Sequence, residues 1–180
     1  FSKTFTNLAT AGTAANQTIL NSAVGTATLT FSGGGTVSFG GAFVEAAANT
    51  KIAIGYSGGG TLAFGSTNTY TGGTVISNGT ARLGADNAFS TGALTLGGNA
   101  TVGVLDLNGF NQTVSSFATG VGATPSAQVI GNSSTTADGV FNYAGISTIF
   151  GSTIQDAIAT VGTRKTSLTL SGVGTVTLTG

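Results

Sequence analysis

Five carboxylates are the side chains best suited to acid–base or metal chemistry in this 180-residue sequence: Glu45, Asp86, Asp106, Asp138 and Asp156. There is no His and no Cys. Hydrolysis of a glycosidic bond takes two carboxylates flanking it, roughly 5–9.5 Å apart. The five acids are spread along the chain, and no His is present to serve as a base. Glu45 and Asp156 also hold matching places in two copies of an internal repeat, which accounts for their recurrence. No catalytic residue is therefore expected.

Calcium is the next chemistry to weigh. Asp106-Leu107-Asn108-Gly109 and Asp86-Asn87 carry oxygen ligands. A hard cation draws several oxygens, carboxylates among them. One Asp per stretch is too few, and the Asp-bearing Gly-rich nonapeptide that binds Ca²⁺ between turns is absent. The expectation is that Asn and Asp fill corners and stack as a ladder, with no metal and no cofactor.

Three Gly-rich runs, 32–35, 57–60 and 171–174, lack the Lys-Ser/Thr of a phosphate loop and precede no helix, so they read as corners. Tyr56 and Tyr143 lie in alternating runs and are expected at the core edge. Tyr70 lies in a Gly/Thr loop and is expected to be open, where it would suit a glycan. Asn-x-Ser/Thr occurs at Asn16, Asn78, Asn99, Asn111 and Asn132. A chain so rich in Asn and Thr reaches that number without glycosylation.

Charge excludes further classes. Charged residues are 6% of the chain and the formal net charge is zero, against roughly 25% charged residues in ordinary soluble domains. Lys3, Lys51, Arg82, Arg164 and Lys165 are scattered, and only the last two are adjacent. Nucleic acid needs a clustered basic face, so none is expected as a partner. No apolar run approaches the roughly 20 residues of a membrane helix, so no membrane insertion is expected. Absence of Cys removes disulfides and thiol chemistry and is compatible with export. No signal peptide is visible. The chain opens on Phe1 rather than Met, as a processed product or an excerpt would.

The elements that position these residues are short strands. Apolar and polar residues alternate in 28–31, 36–39, 51–56, 61–64, 73–76, 93–96 and 104–107, the signature of side chains pointing to opposite faces. A further strand is expected at 3–6, followed by a polar loop over 9–17. Gly, Asn and Ser between the runs supply the corners. In Val104-Leu105-Asp106-Leu107, Leu105 and Leu107 share one face, which leaves Asp106 outside. Thr153-Ile-Gln-Asp156 carries a capping-box pattern, but its counterpart at 42–46 lacks the cap, so strand or loop is preferred.

The densest stretch, 57–114, carries Gly60-Thr-Leu-Ala-Phe-Gly65, Asn68-Thr-Tyr-Thr-Gly-Gly-Thr74, Asn78-Gly-Thr-Ala-Arg-Leu-Gly84, Gly92-Ala-Leu-Thr-Leu-Gly-Gly98 and Leu105-Asp-Leu-Asn-Gly-Phe-Asn-Gln-Thr-Val114. These runs resemble the autotransporter-associated β-strand repeat of large bacterial surface and secreted proteins. The resemblance implies a right-handed parallel β-solenoid, an extracellular or cell-surface location, and no catalytic residues.

The sequence also repeats itself. Asn7-Leu-Ala-Thr10 matches Ser116-Phe-Ala-Thr119, Asn21-Ser22 matches Asn132-Ser133, and Leu29-Thr-Phe31 matches Phe141-Asn-Tyr143. Residues 39–45 match 150–156, and 54–64 match 168–178. Residues 1–66 are thus equivalent to about 110–180, with 67–109 present once, in a repeat of about 110 residues. Phe39 and Phe150 are expected at equivalent interior places, as are Phe64 and Leu178. At roughly 20 residues per coil, a single solenoid of eight or nine coils is expected.

The function expected is structural: a segment of an extracellular fibre or stalk that meets further copies of itself head to tail through its end coils. An adhesin binding glycans or host matrix is the alternative, and a polysaccharide-active enzyme a distant third. An exposed acidic pair would favour the enzyme, and an exposed aromatic row the adhesin.

Overall fold

The computed structural model describes residues 2–6, 8, 17–158 and 163–179. It is nearly all β, with parallel strands stacked as a β-solenoid of about seven turns. Each turn has three sides. The first side is a six-stranded sheet of β1 (Ser2–Phe5), β3 (Gly25–Phe31), β6 (Thr50–Tyr56), β8 (Thr74–Ile76), β10 (Ala93–Leu96) and β13 (Ser116–Thr119). The second is a six-stranded sheet of β4 (Thr36–Phe39), β7 (Thr61–Phe64), β9 (Gly79–Leu83), β11 (Gly103–Asp106), β14 (Val129–Asn132) and β17 (Thr153–Ala157).

The third side is interrupted. It begins with β2 (Thr18–Asn21) and β5 (Ala42–Glu45) and resumes with β12 (Gln112–Val114), β15 (Gly139–Tyr143) and β18 (Thr166–Leu170). Between them the chain crosses this side twice as loops, and Asn68 and Asn87 carry the bonding across. Asn68 Oδ1 accepts the Phe43 N–H, the Asn68 N–H donates to the Asn87 carbonyl, and Asn87 Oδ1 accepts the Thr113 N–H. The first side ends with β16 (Thr148–Phe150) and β19 (Val176–Leu178), which pair with each other. The Phe150 ring stacks on Phe117 of β13 at 4.2 Å.

Turn length varies with the loops. Thr61 lies beside Thr80, nineteen residues on, whereas Gln112 lies beside Phe141, twenty-nine residues on. That spread gives about seven turns in place of the eight or nine expected from a uniform short coil. Strands β4, β7 and β10 occupy the alternating runs residue for residue. The 153–156 stretch is strand, as preferred, and not a helical turn. The polar-loop expectation over 9–16, the match at Asn7, Ala9 and Thr10, and the Asn16 sequon lie outside the described residues.

Alternation packs the interior. In β3 and β6 the inward residues Leu29, Phe31, Ile52, Ile54 and Tyr56 are buried. Phe64 is fully buried and lies 4.8 Å, ring to ring, from both Phe43 and Phe89. Phe39 and Phe150 are both interior, as expected. Leu178 is not: it is 62% exposed, because β19 closes the described stack and no coil lies over it.

Coils approach closely at the corners. A Cβ built on Gly58 would fall far nearer the Gly33 carbonyl oxygen than a real Cβ approaches an oxygen, whereas one on Gly34 would meet nothing within 4 Å. Two outcomes follow in urea denaturation. Gly58→Ala should cost at least about 2 kcal/mol, since backbone must move, and Gly34→Ala should stay within about 0.5 kcal/mol. Phe64→Ala should cost about 3–5 kcal/mol, the usual range for a buried aromatic. A loss below roughly 1 kcal/mol would contradict its place in the core.

Candidate functional site

The structure finds every carboxylate already engaged with backbone. Glu45 Oε1 accepts the N–H groups of Ile52 (2.6 Å) and Thr71 (2.8 Å), and its Oε2 accepts the Thr71 hydroxyl (3.0 Å). Asp86 accepts the Asn111 N–H (2.7 Å), Asp138 the Lys165 N–H (2.9 Å) and Asp156 the Thr166 N–H (2.9 Å). These bonds tie a corner to the following strand or coil. The acids do not converge: no group of three or more metal-ligating side chains forms among the described residues.

Asp106 is the exception in burial and corrects the sequence expectation. It was expected outside, yet it is 1% exposed. In register it sits between Arg82 of β9 and Gly131 of β14. Arg82 Nε donates to Oδ2 at 2.7 Å, and the Ser133 hydroxyl donates to the same oxygen at 2.7 Å. Oδ1 accepts the N–H groups of Ser133 (2.9 Å) and Asn108 (3.0 Å). Four donors from three successive coils thus converge on one carboxylate. A buried charge is tolerated when it is paired and its lone pairs are bonded. Charge-assisted bonds of this length are the strong kind.

The corner amides work in the same way: Asn68, Asn87 and Asn111 follow one another in successive coils through backbone bonds, and their side-chain oxygens accept the N–H groups of Phe43, Thr113 and Val140. Asn132 is fully buried. Its Oδ1 accepts the Gly109 and Ser134 N–H groups, and its Nδ2 donates to the Ala137 and Lys165 carbonyls. Gln112 and Gln128, not singled out in the sequence, are also buried. Gln112 Oε1 accepts the Phe89 N–H, and Gln128 Oε1 accepts the Gly103 N–H at 2.7 Å. Their one sequence signal is a polar residue beside an apolar strand at a corner.

Tyr70 is a second correction. The loop that carries it replaces a third-side strand and folds the ring inward, leaving it 1% exposed against the edge of Phe43. Its hydroxyl bonds the Thr74 hydroxyl at 2.6 Å. Burial pushes the phenol well above its ordinary pKa, and the Thr74 bond opposes that only in part. Tyr56 and Tyr143 are buried too, so none of the three tyrosines offers a platform to a sugar.

Two open spaces among the described residues bear on binding. A cavity of about 450 Å³ at the amino-terminal end lies among apolar residues, including Phe5, Ile19, Leu29 and Ile52, with Lys3 at its edge. A groove of about 470 Å³ runs along the corner between first and second sides, lined by Ser57, Ser77, Asn78, Asn99, Thr101 and Val121. Its wall is a tight two-residue turn in which Asn99 and Ala100 both have positive φ. Among the described residues no helix is long and apolar enough to cross a membrane.

Asp106→Ala should cost roughly 2–4 kcal/mol in chemical denaturation, because the Ser133 and Asn108 donors lose their acceptor. Arg82→Gln should cost about 1 kcal/mol or less, since the Arg82 side chain is 45% exposed and water replaces part of its role. The contribution of Tyr70 to stability is fully present below the ordinary tyrosine pKa of about 10. It is lost as pH rises from there through the higher folded-state pKa. Alkaline unfolding of the wild type should therefore be steeper above pH ~10 than that of Tyr70→Phe; equal slopes would contradict the burial of this phenol.

No family model matches the chain, and no curated protein or solved structure matches it either.

Proposed function

We propose that this chain is a non-enzymatic structural segment of an extracellular fibre or stalk on a bacterial surface. The observation that carries the reading is the use of the carboxylates: all five accept backbone N–H groups that hold the coil in place. An acid committed in this way supports stacking and leaves a polysaccharide enzyme without an available pair. The β-solenoid supports the same reading, because turns that contact only their neighbours build length. The location rests on the resemblance of 57–114 to the autotransporter-associated repeat.

An adhesin is the second reading. The corner groove favours it: hydroxyls and amides line it, and the Asn78 and Asn99 side-chain amides have no hydrogen-bond partner among the described residues. A neutral polyhydroxylated ligand such as a glycan would suit that lining. The absence of an exposed tyrosine among Tyr56, Tyr70 and Tyr143 weighs against it.

A swap at the cell surface separates the readings. The segment is replaced, within its parent protein, by an unrelated β-solenoid with the same number of turns. If its role is structural, fibre length and the parent's surface phenotype should be retained. Loss of that phenotype, restored only by this chain, would overturn the proposal. Restoration that also depends on Ser57, Asn78 and Asn99 would assign the groove to a glycan.

A further inference from the structure

The two sequence copies make the same contacts on different sides of the rod. Asn21 and Asn132 are counterparts. Asn21 Oδ1 accepts the N–H two residues on, and its Nδ2 donates to the Lys51 carbonyl. Asn132 Oδ1 likewise accepts the N–H two residues on, and its Nδ2 donates to the carbonyl of Lys165, the counterpart of Lys51. Glu45 and Asp156 are counterparts as well. Glu45 accepts the Ile52 N–H, and Asp156 accepts the N–H of Thr166, the counterpart of Ile52.

The sides differ by a fixed step. β3 lies on the first side of the second turn, and its counterpart β15 lies on the third side of the sixth. β5 passes from the third side to β17 on the second, and β7 from the second side to β19 on the first. Each is the same displacement of four turns and two sides. The repeat therefore does not close on whole turns, and each copy is rotated by a third of a turn against the last.

Among the described residues, the coil that covers the first copy has no counterpart over the second. In the first, Ile54 and Tyr56 pair with Thr74 and Ile76, and Leu62 and Phe64 pair with Ala81 and Leu83. Glu45 bonds the Thr71 N–H and hydroxyl in that same covering coil, and the Phe43 N–H reaches Asn68 in it. In the second copy Leu170 and Leu178 are 52% and 62% exposed. Among the described residues, Asp156 has its Thr166 bond and no counterpart of the two from Thr71. The Thr166 hydroxyl, and the Ser152 hydroxyl just before β17, are buried with no partner among the described residues.

We infer that the carboxy-terminal coil is the receptor for one specific occupant: a coil with the chemistry of residues 65–83, supplied by a further copy of the same repeat. Its Thr71 counterpart bonds Asp156, and its Ile76 and Leu83 counterparts close over Leu170 and Leu178. The occupant is rotated by the same third of a turn. Three copies then span fourteen turns, roughly 67 Å at about 4.8 Å per turn, before a surface feature returns to its starting side. This inference deepens the structural reading proposed above and names its partner.

The test is to extend the chain with a duplicate of residues 65–109 after Leu178 and to compare it with an extension of the same composition in scrambled order. The duplicate should raise the melting temperature by several degrees and slow amide exchange in 166–170 and 176–178 at least tenfold over the scrambled form. Asp156→Ala removes the Thr166 bond in either chain, so it should lower the melting temperature of both, and by several degrees more in the duplicate-extended chain than in the unextended one. Spin labels on Arg82→Cys and on its counterpart in the duplicate should lie a third of a turn apart around the axis. Equal exchange in the duplicate and scrambled chains, an extended chain that loses the fold, or labels on one side would overturn the inference. A failed extension leaves the surface swap readable, because that experiment asks for no added coil.

Discussion

Backbone must meet backbone at every turn of this rod, and the remaining features follow from that approach. Parallel strands sit about 4.8 Å apart, and the corners have to keep the same spacing as the strands. At Gly58 the carbonyl of Gly33 occupies the space a Cβ would need. Where the corner carries a side chain instead, that side chain is put to use. Asn21, Asn68, Asn132 and Gln128 each turn a polar group back onto the backbone of a neighbouring segment. A corner without a ladder partner would otherwise bury unpaired N–H and C=O groups, which is costly.

The scarcity of charge fits the same constraint. With 6% charged residues, the chain places its acids where backbone donors would be left over. Asp106 shows the arrangement most fully, with donors from Arg82, Asn108 and Ser133 around one carboxylate. Arg82 keeps part of its surface in water, so its charge is not entirely desolvated. The interior varies along the rod in turn. Phenylalanines dominate near Phe31, Phe43 and Phe64 and again near Phe117, Phe141 and Phe150. The aliphatic residues Ile76, Leu83, Leu96 and Leu105 fill the coils between.

Most strands were legible because alternation reports directly on a sheet with one buried face. Thr36–Phe39, Thr61–Phe64 and Ala93–Leu96 were read to the residue. Thr18–Asn21 was not, since a four-residue strand beside a polar run carries almost no periodic signal. Asp106 was misread for a related reason. Alternation gave the direction of its side chain, level with the exposed Arg82, but it said nothing of what two neighbouring coils lay over it. Tyr70 was misread because a loop that stands in for a strand still has to fill the interior, and local Gly and Thr do not report that duty. The committed carboxylates were legible only as isolated acids; apart from Asn108, two residues from Asp106, their partners lie 7 to 27 residues away and depend on coil lengths that vary.

The corners also decide how such a rod meets a protease. Cleavage requires a stretch of chain to leave its pairing and extend into a catalytic cleft, so digestion concentrates at exposed loop tips. Tight corners such as 57–60 offer little slack. The edge between first and second sides differs in two adjacent turns: it carries the Asn99–Ala100 turn and then the longer excursion over 120–128, with Val121 almost wholly exposed. Both bulges are tied down, since the Asn99 and Ala100 N–H groups donate to the Val121 and Gly122 carbonyls. A nick there would leave the coils on either side joined by their parallel ladders, so the rod would tolerate a cut backbone without parting.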